Sequence, residues 1–307
     1  MLSTDAVLHQ VKGIKKTFDE GATKKILKWK DQRVFNFTET AEYNEIFTST
    51  ESMADASELT EAQTPAILKL EEGYQVMIED NRFGSAISVT ETMRVKAGDS
   101  TQKMRTIIQR QAKKIMVVNY KLFLNKAWGL LNGGFTTTLA PDGNPLFGAH
   151  VWKTAGATGF NNNPTNAEFS EAAWDAVVEY GATLKDAANI EMPIVFDTVV
   201  VALGSKAAKD AKKLFAQGIS PTKVADTNIY ESTVNVIESP LLSLRTMWVP
   251  IASGLDNPMY VGITKFPSLN KPLIEDNEAV RTNCTGFYKA GITEMPFAIC
   301  ASKGDNS

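Results

Sequence analysis

Between Ser100 and Trp128 the chain carries seven Lys or Arg and no Asp or Glu, and Met104, Ile108, Ala112, Ile115, Val118 and Leu122 recur there at spacings of three and four. That spacing predicts one amphipathic helix with a single apolar stripe. Gly98-Asp99-Ser100 supplies a cap signal at its start, and Asn132-Gly133-Gly134 a stop at its end. Running to Leu131, the helix is about 45 Å long at roughly 1.5 Å per residue, long enough to be a structural spine. A helix of one charge sign repels itself along its length, so it belongs against something negative, either another subunit or nucleic acid.

A block of opposite sign precedes it: from Glu39 to Asp80 there are eleven acids against one base, Lys69. Two such blocks can pair within a subunit or between subunits, or remain two solvated faces. The net charge of -3 over 307 residues gives no global steering toward nucleic acid. With 43% hydrophobic and 22% charged residues the chain is ordinary globular material, long enough for two cores or one large one. Cys284 and Cys300 fit neither a disulfide framework nor a zinc or redox spacing, which points to a reducing compartment and buried structural thiols. Residues 1–19 lack the apolar run of a secretory signal, and the apolar stretch 194–203 is too short to span a membrane.

Lysines scattered over residues 1–36, with modest apolar periodicity, read as an extended arm with some helix. Residues 37–70 are polar and acidic, and read as a loop or arm ordered by neighbours. Tyr74, Val76 and Ile78 alternate, a polar turn follows at Asp80-Asn81-Arg82-Phe83-Gly84, and Ile87, Val89, Met93 and Val95 alternate again, which predicts two antiparallel strands joined by that turn. Further on, helices are expected over 170–188, with Trp174, Val177, Val178 and Leu184 inward, and over 205–217. Strands are expected over 194–203, 234–237 and 247–251, then over 260–266, 279–288 and 293–301. The middle of the chain thus alternates strand and helix, the pattern of a mixed sheet with helices on its faces.

Reactive groups are few. His150, eight residues after Asp142, could be half of a hydrolase or metal site, but no second His, HExxH or Cys cluster accompanies it, and loop packing is the simpler reading. No GxSxG elbow appears, no GxGxxG follows a strand, and Gly204-Ser205-Lys206 lacks the upstream glycine of a phosphate-binding loop. Five tryptophans, spread over arm, helix, loop and sheet, suggest packing and interface anchoring. The sequence assigns no catalytic residue, cofactor or metal.

The order of features is distinctive: a long helix ending in Leu131-Asn132-Gly133-Gly134-Phe135, then Asp142-Gly143-Asn144-Pro145-Leu146-Phe147 with His150, an Asn-rich loop, an amphipathic helix, and later Val234-Asn235-Val236-Ile237-Glu238-Ser239-Pro240-Leu241-Leu242. Over roughly Asp99 to Leu242 this resembles the major capsid proteins of tailed bacteriophages, particularly Mu-like head subunits, whose fold is the α+β Hong Kong 97 type. The resemblance implies an N-terminal arm (1–45), an extended β-hairpin loop reaching over a neighbour (46–98), a peripheral domain with the spine helix (99–154), an axial domain (155–255) and return strands of the peripheral domain (256–307).

The resemblance also implies function: a virion subunit, assembled in a host bacterial cytoplasm into hexamers and pentamers that enclose double-stranded DNA without sequence specificity. Portal, separate scaffold and decoration proteins would be its partners, and no membrane would. Asp80, Asn81, Arg82 and Phe83 become candidate inter-subunit contacts. Lys103, Arg105, Arg110, Lys113, Lys114 and Lys121 become a spine face directed at a neighbour or at DNA. Lys69 is the one loop lysine that family-type covalent cross-linking could use, with no partner identified. An encapsulin-like compartment is the alternative with the same fold, and a soluble α/β enzyme using Asp142 and His150 the alternative from another class.

Overall fold

The computed structural model describes residues 3–53, 70–98, 100–216, 230–275 and 279–305, so Lys69 and Asp99 lie outside the described residues. Helix α1 (Thr4–Leu27) is capped by Ser3, whose hydroxyl accepts from Ala6 N at 3.2 Å. Val7, Val11, Ile14, Phe18, Ala22 and Ile26 form its buried stripe. The stretch expected as an extended arm with some helix is therefore mostly one 24-residue helix, because that stripe finds a core in its own chain.

After a short 3-10 turn (Lys30–Arg33) come β1 (Asn36–Glu39), β2 (Asn44–Met53), β3 (Leu70–Glu79) and β4 (Asn81–Val89). The expected pairing of the last two strands does not occur. Only Asp80 separates β3 from β4, and one residue cannot close a hairpin, which needs at least two. Instead β3 pairs antiparallel with β2, Ile46 opposite Met77 and Phe47 opposite Val76, while Asn81 to Phe83 enter β4 and pair with a late strand. An extended ribbon exists, but β2 and β3 build it, and the segment expected as a loop supplies β1 and β2. Met93 and Val95 are not strand either. They lie in α2 (Glu91–Ala97), whose buried residues Arg94 and Ala97 are three apart, a helical spacing.

Helix α3 (Thr101–Asn132) matches the expected spine: Ser100 caps it, accepting from Lys103 N at 3.3 Å, and Gly133 follows its last residue. Its buried stripe differs in the second half. Val118 is 49% exposed, and the stripe continues through Asn119 and Phe123. Asn119 is buried because its amide donates to Ser85 Oγ (2.9 Å) and to Ile115 O (3.0 Å). A polar side chain with partners can thus hold a core position that a hydrophobicity pattern skips.

Beyond α3 lie β5 (Ala149–His150), β6 (Phe160–Asn161), α4 (Glu171–Thr183), β7 (Thr198–Ala202), α5 (Lys206–Ala216), β8 (Asn235–Ser239), β9 (Trp248–Ile251), β10 (Met259–Leu269), β11 (Leu273–Ile274) and β12 (Val280–Ile292). Strands β8, β7 and β9 make the mixed sheet that the alternating pattern predicted, β7 parallel to β8 and antiparallel to β9. Ser170 caps α4 as expected, but the helix stops at Thr183 and leaves Val178 43% exposed. It stops because the chain folds back at close range: Ile194 N donates to Gly181 O (2.9 Å) and Met192 N to Leu184 O (2.9 Å). Strand β7 is shorter than the apolar run 194–203, since Val195 is 82% exposed and Asp197 accepts from Ser253 N (2.9 Å).

The late strands join a sheet whose other members come from early in the chain. β1 lies parallel to β10, β10 antiparallel to β12, and β12 pairs both β4 and β11. The strand expected over 293–301 is replaced by a 3-10 turn (Pro296–Ala298) followed by isolated bridges, Ile251 to Ile299 and Trp248 to Ser302. One core fills the space between this sheet and α3, and contains Trp29, Phe35, Phe123, Trp128 and Tyr288. The indole N–H groups of Trp29 and Trp128 both donate to Asp31 Oδ2, at 2.9 and 2.7 Å. A second core around Trp152, Trp174 and Trp248 packs α4 and α5 against the β8–β7–β9 sheet, and a third lies under α1. All five tryptophans are at most 5% exposed, so in the single chain they are core residues and not surface anchors.

Candidate functional site

The loop after α3 is built on Asp142-Gly143. Gly143 sits at φ 81°, a conformation glycine adopts without strain, and this lets the chain turn back so that Asp142 meets His150. His150 Nδ1 is 3.0 Å from Asp142 Oδ2, its Nε2 is 3.1 Å from Leu146 O, and both side chains are 0% exposed. Asp142 also accepts from Asn144 N (3.1 Å), Asn144 Nδ2 (3.0 Å) and Val151 N (3.2 Å). Burial pushes the Asp142 carboxyl up, but the hydrogen bond and charge of His150 and the bonds from Asn144 outweigh it, and the net position is below the ordinary value.

Asn162 completes the loop's interior. Fully buried, it donates to Leu146 O (2.8 Å) and Pro296 O (3.1 Å) and accepts from Gly148 N (2.8 Å). Gly159 lets the two short strands touch, since a Cβ there would lie 2.4 Å from His150 O. An imidazole with both nitrogens engaged and no exposure has no route to a substrate. The chemistry of this cluster is to hold the loop's shape. Sequence reasoning identified the pair but not Asn162, whose sole signal was a place in an Asn run.

The ribbon lies on its own chain through alternate residues of β2. Glu45 accepts from Tyr260 Oη (2.6 Å) and lies 3.4 Å from the fully buried ammonium of Lys289. Burial raises the Glu45 carboxyl, while hydrogen bonds from Thr40 and Tyr260 and the charge of Lys289 bring it below the ordinary value. Phe47 packs on Tyr260, ring centroids 4.9 Å apart. Glu51, 3% exposed, accepts from Lys153 N (2.5 Å), Thr154 N (2.8 Å) and Thr154 Oγ1 (2.8 Å), and Lys153 Nζ donates back to Gly73 O (3.0 Å). A carboxylate on successive backbone N–H groups is a strong, geometrically specific anchor. The sequence offered no sign of it.

The outer face is different. Ile46 and Met77, directly opposed in register, are 69% and 55% exposed, and Glu42, Glu72 and Glu79 are exposed around them. At the bend between β3 and β4, Asn81 and Arg82 are exposed. Phe83 turns inward onto Tyr288, ring centroids 5.3 Å apart, and Asp80 sits with both carboxylate oxygens out of solvent. Lys103, Arg105, Arg110, Lys113, Lys114 and Lys121 are all exposed on α3, and none of them forms an ion pair among the described residues. Lys103, Arg110, Lys114 and Lys121 share the face opposite the buried stripe, while Arg105 and Lys113 border the groove toward α1.

Elsewhere Cys284 and Cys300 are buried free thiols. Burial pushes the first up to about 12 and the second well above its ordinary range, which makes both poor nucleophiles at neutral pH. Among the described residues no cluster of His, Cys, Asp or Glu has the geometry of a metal centre, and no helix is long and apolar enough to cross a membrane.

No protein-family model matches the chain, and neither does any curated protein. Solved structures do. A chain from Mycobacterium phage Patience superposes with a TM-score of 0.51 at 11% identity, covering 96% of this chain and 87% of its own length. A chain from the capsid of Myoviridae phage XM1 gives 0.46 at 10% identity over 86% and 85%, and one from a virus-like particle of Pyrococcus furiosus gives 0.41 at 10% over 95% and 98%. The fold is the α+β Hong Kong 97-type capsid fold.

Proposed function

We propose that the chain is a major capsid subunit that self-assembles, as hexamers and pentamers, into the icosahedral shell enclosing the double-stranded DNA of a tailed phage. The observation that carries this reading is a capsid-type fold extending over 96% of the chain, ribbon and spine helix included. Fold alone does not fix function. Here the remaining features agree with an assembly role: the Asp142–His150 pair is sealed inside a loop, while the outer faces of the ribbon and of α3 each expose both charged and apolar residues. Closed symmetry lets many modest contacts of this kind sum to a stable container.

On this reading the subunit is non-enzymatic, works as a virion component built in a host bacterial cytoplasm, and meets portal, scaffold and decoration proteins. Asn81 and Arg82 at the bend, and the exposed bases of α3, are its candidate contact residues. A phage shell is preferred to an encapsulin-like compartment because a phage chain superposes with a TM-score above 0.5. Negative-stain microscopy with light scattering on the purified chain, alone and with its scaffold, tests the proposal. Shells tens of nanometres across that retain nuclease-protected DNA are expected when packaging is complete. A chain that stays monomeric or dimeric even with scaffold supplied would overturn it.

A further inference from the structure

Strands β10 and β12 sort the subunit into two differently charged sides. Successive residues of a strand point to opposite faces of its sheet. Tyr260 and Lys289 carry the ribbon, through Glu45 and Phe47, while Val261, Ile263 and Tyr288 turn into the core against Phe123 of α3. The ribbon side exposes Glu42, Glu72 and Glu79. The opposite side is a layer of two helices.

In that layer α1 and α3 run side by side. Gln10 Nε2 donates to Thr101 O (3.1 Å) near one end, and the Lys25 ammonium lies over the Tyr120 ring, 4.7 Å from its centre, near the other. Helix α3 contains no Asp or Glu. Lys103, Arg110 and Lys114 are exposed on its outer face, and Arg105 and Lys113 border the groove toward α1. Along α1 the exposed Lys12, Lys16 and Lys24 recur at spacings of four and eight, with Glu20 between the last two. Asp19 turns instead to the sheet, accepting from Leu269 N (2.9 Å). Among the described residues none of these bases forms an ion pair. Like charges gathered on one surface repel, and a polyanion laid across them relieves that cost. From Lys103 to Lys114 is about 17 Å at roughly 1.5 Å per residue, the axial length of about five phosphates of one DNA strand at roughly 3.4 Å each. Half-exposed Val117 and Val118 interrupt the row before Lys121, which confines a phosphate track to the first half of α3.

We propose that this two-helix face, made of the bases of α1 and of the first half of α3, binds the phosphate backbone of duplex DNA. Contacts of this kind position the duplex and read no sequence. The inference rests on the shell reading for the source of the DNA. It names the partner of a basic face which that reading leaves open between a neighbour and nucleic acid, and it makes α1 part of the contact. A shell turns one side of each subunit to its contents, and the helix side is the one whose charge complements DNA.

Fluorescence anisotropy of the purified chain with a labelled duplex of about 30 base pairs tests it. Binding is expected despite the net charge of -3, equal for two unrelated sequences, and about twentyfold weaker for each doubling of salt if about five phosphates are contacted. Arg105→Gln with Lys113→Gln should weaken binding about tenfold or more and reduce the salt slope by about two. Lys209→Gln with Lys213→Gln removes the same charge from exposed positions on α5 and should leave affinity within about twofold. Each pair is checked for an unchanged circular-dichroism melt. Where the first melts early, Lys12→Gln with Lys16→Gln on the exposed side of α1 replaces it, with a loss of about fivefold expected. An absence of binding by the wild type, an equal loss in the patch and α5 variants, or no loss in the patch variant would overturn the contact. So would a lower shell yield in the patch variant with duplex affinity unchanged, which would assign the face to a neighbouring copy. Microscopy of the same samples separates this inference from the shell reading. Normal shells from a chain without duplex affinity overturn the contact alone. Duplex affinity lost only in the patch variant supports the contact even where no shell forms with scaffold supplied, a result that overturns the shell reading alone.

Discussion

The loop from Asp142 to Asn162 and the β2–β3 ribbon invert the usual association of regular structure with self-sufficiency. The loop is almost without regular structure, yet Asp142 and His150 satisfy one another, and Asn162 satisfies the surrounding backbone, while their side chains are fully or almost fully buried. The ribbon is regular, yet one of its faces is anchored at Glu45 and Glu51 and the other is left with exposed Ile46 and Met77. What makes a segment complete is whether its polar groups and apolar area find partners in the same chain, and pairing in a ladder settles only the backbone's share.

The largest effect expected from that contrast is at Asn162. Asn162→Leu leaves Gly148 N and Pro296 O without their partner and removes one of the two bonds to Leu146 O, so it should cost about 3 kcal/mol or more, read as a shift in the urea unfolding midpoint. Asp142→Asn should cost about 2 kcal/mol at neutral pH by weakening a charge-assisted cluster. The carboxyl of Asp142 is held below its ordinary value in the folded chain, so its contribution is complete above the unfolded pKa of about 4 and is lost as pH falls through the lower folded value. The variant should therefore flatten that acid limb of the stability curve, and a limb left unchanged would show that the loop is held by other groups.

Glu51→Gln should act more locally. A loss of about 1–2 kcal/mol is expected, seen as roughly tenfold faster hydrogen exchange at the Lys153 and Thr154 amides, with the loop amides of Gly148 and Val151 unaffected. A global destabilisation as large as that of Asn162→Leu would break the comparison, because it would make the ribbon part of the core. The smallest effect is expected at the outward surfaces. Lys114→Ala should change the stability of the free chain by less than about 0.5 kcal/mol in the same urea titration.

Local signals in the sequence were accurate where one element carried its own instruction. Ser100, Ser170 and Asn132-Gly133 mark real helix ends, because capping depends on residues within a turn of the boundary. The strands expected over 194–203 and 247–251 exist in the mixed sheet, the first shortened to 198–202 and the second at 248–251. Reading failed where the deciding partner was distant. Nothing near β3 and β4 says that one belongs to β2 and the other to β12, nor does the 293–301 run reveal that it meets β9 only through isolated bridges. Asn119 and Arg94 were passed over as core positions because each is buried by partners that periodicity does not record, Ser85 for one and Thr4 for the other.

The candidate site divides the same way. The basic face of α3 was legible because charge sign and helical spacing are properties of adjacent residues. The anchoring of Glu51 was not, because it depends on backbone N–H groups about a hundred positions away that any residue types could present.

By itself the sequence determined the spine helix, the separation of acidic and basic blocks, the glycine turn that brings Asp142 to His150, and the kind of subunit these resemble. Tertiary structure alone decided which strands pair, which face of the ribbon is spent on its own body, and that the His–Asp pair is a sealed lock. Periodicity fixes what a segment becomes, since its energy comes from neighbours within a few residues. Its partners are fixed only when chain segments such as β1 and β10, Asn36 opposite Tyr260, are brought together to bury their polar and apolar groups at once.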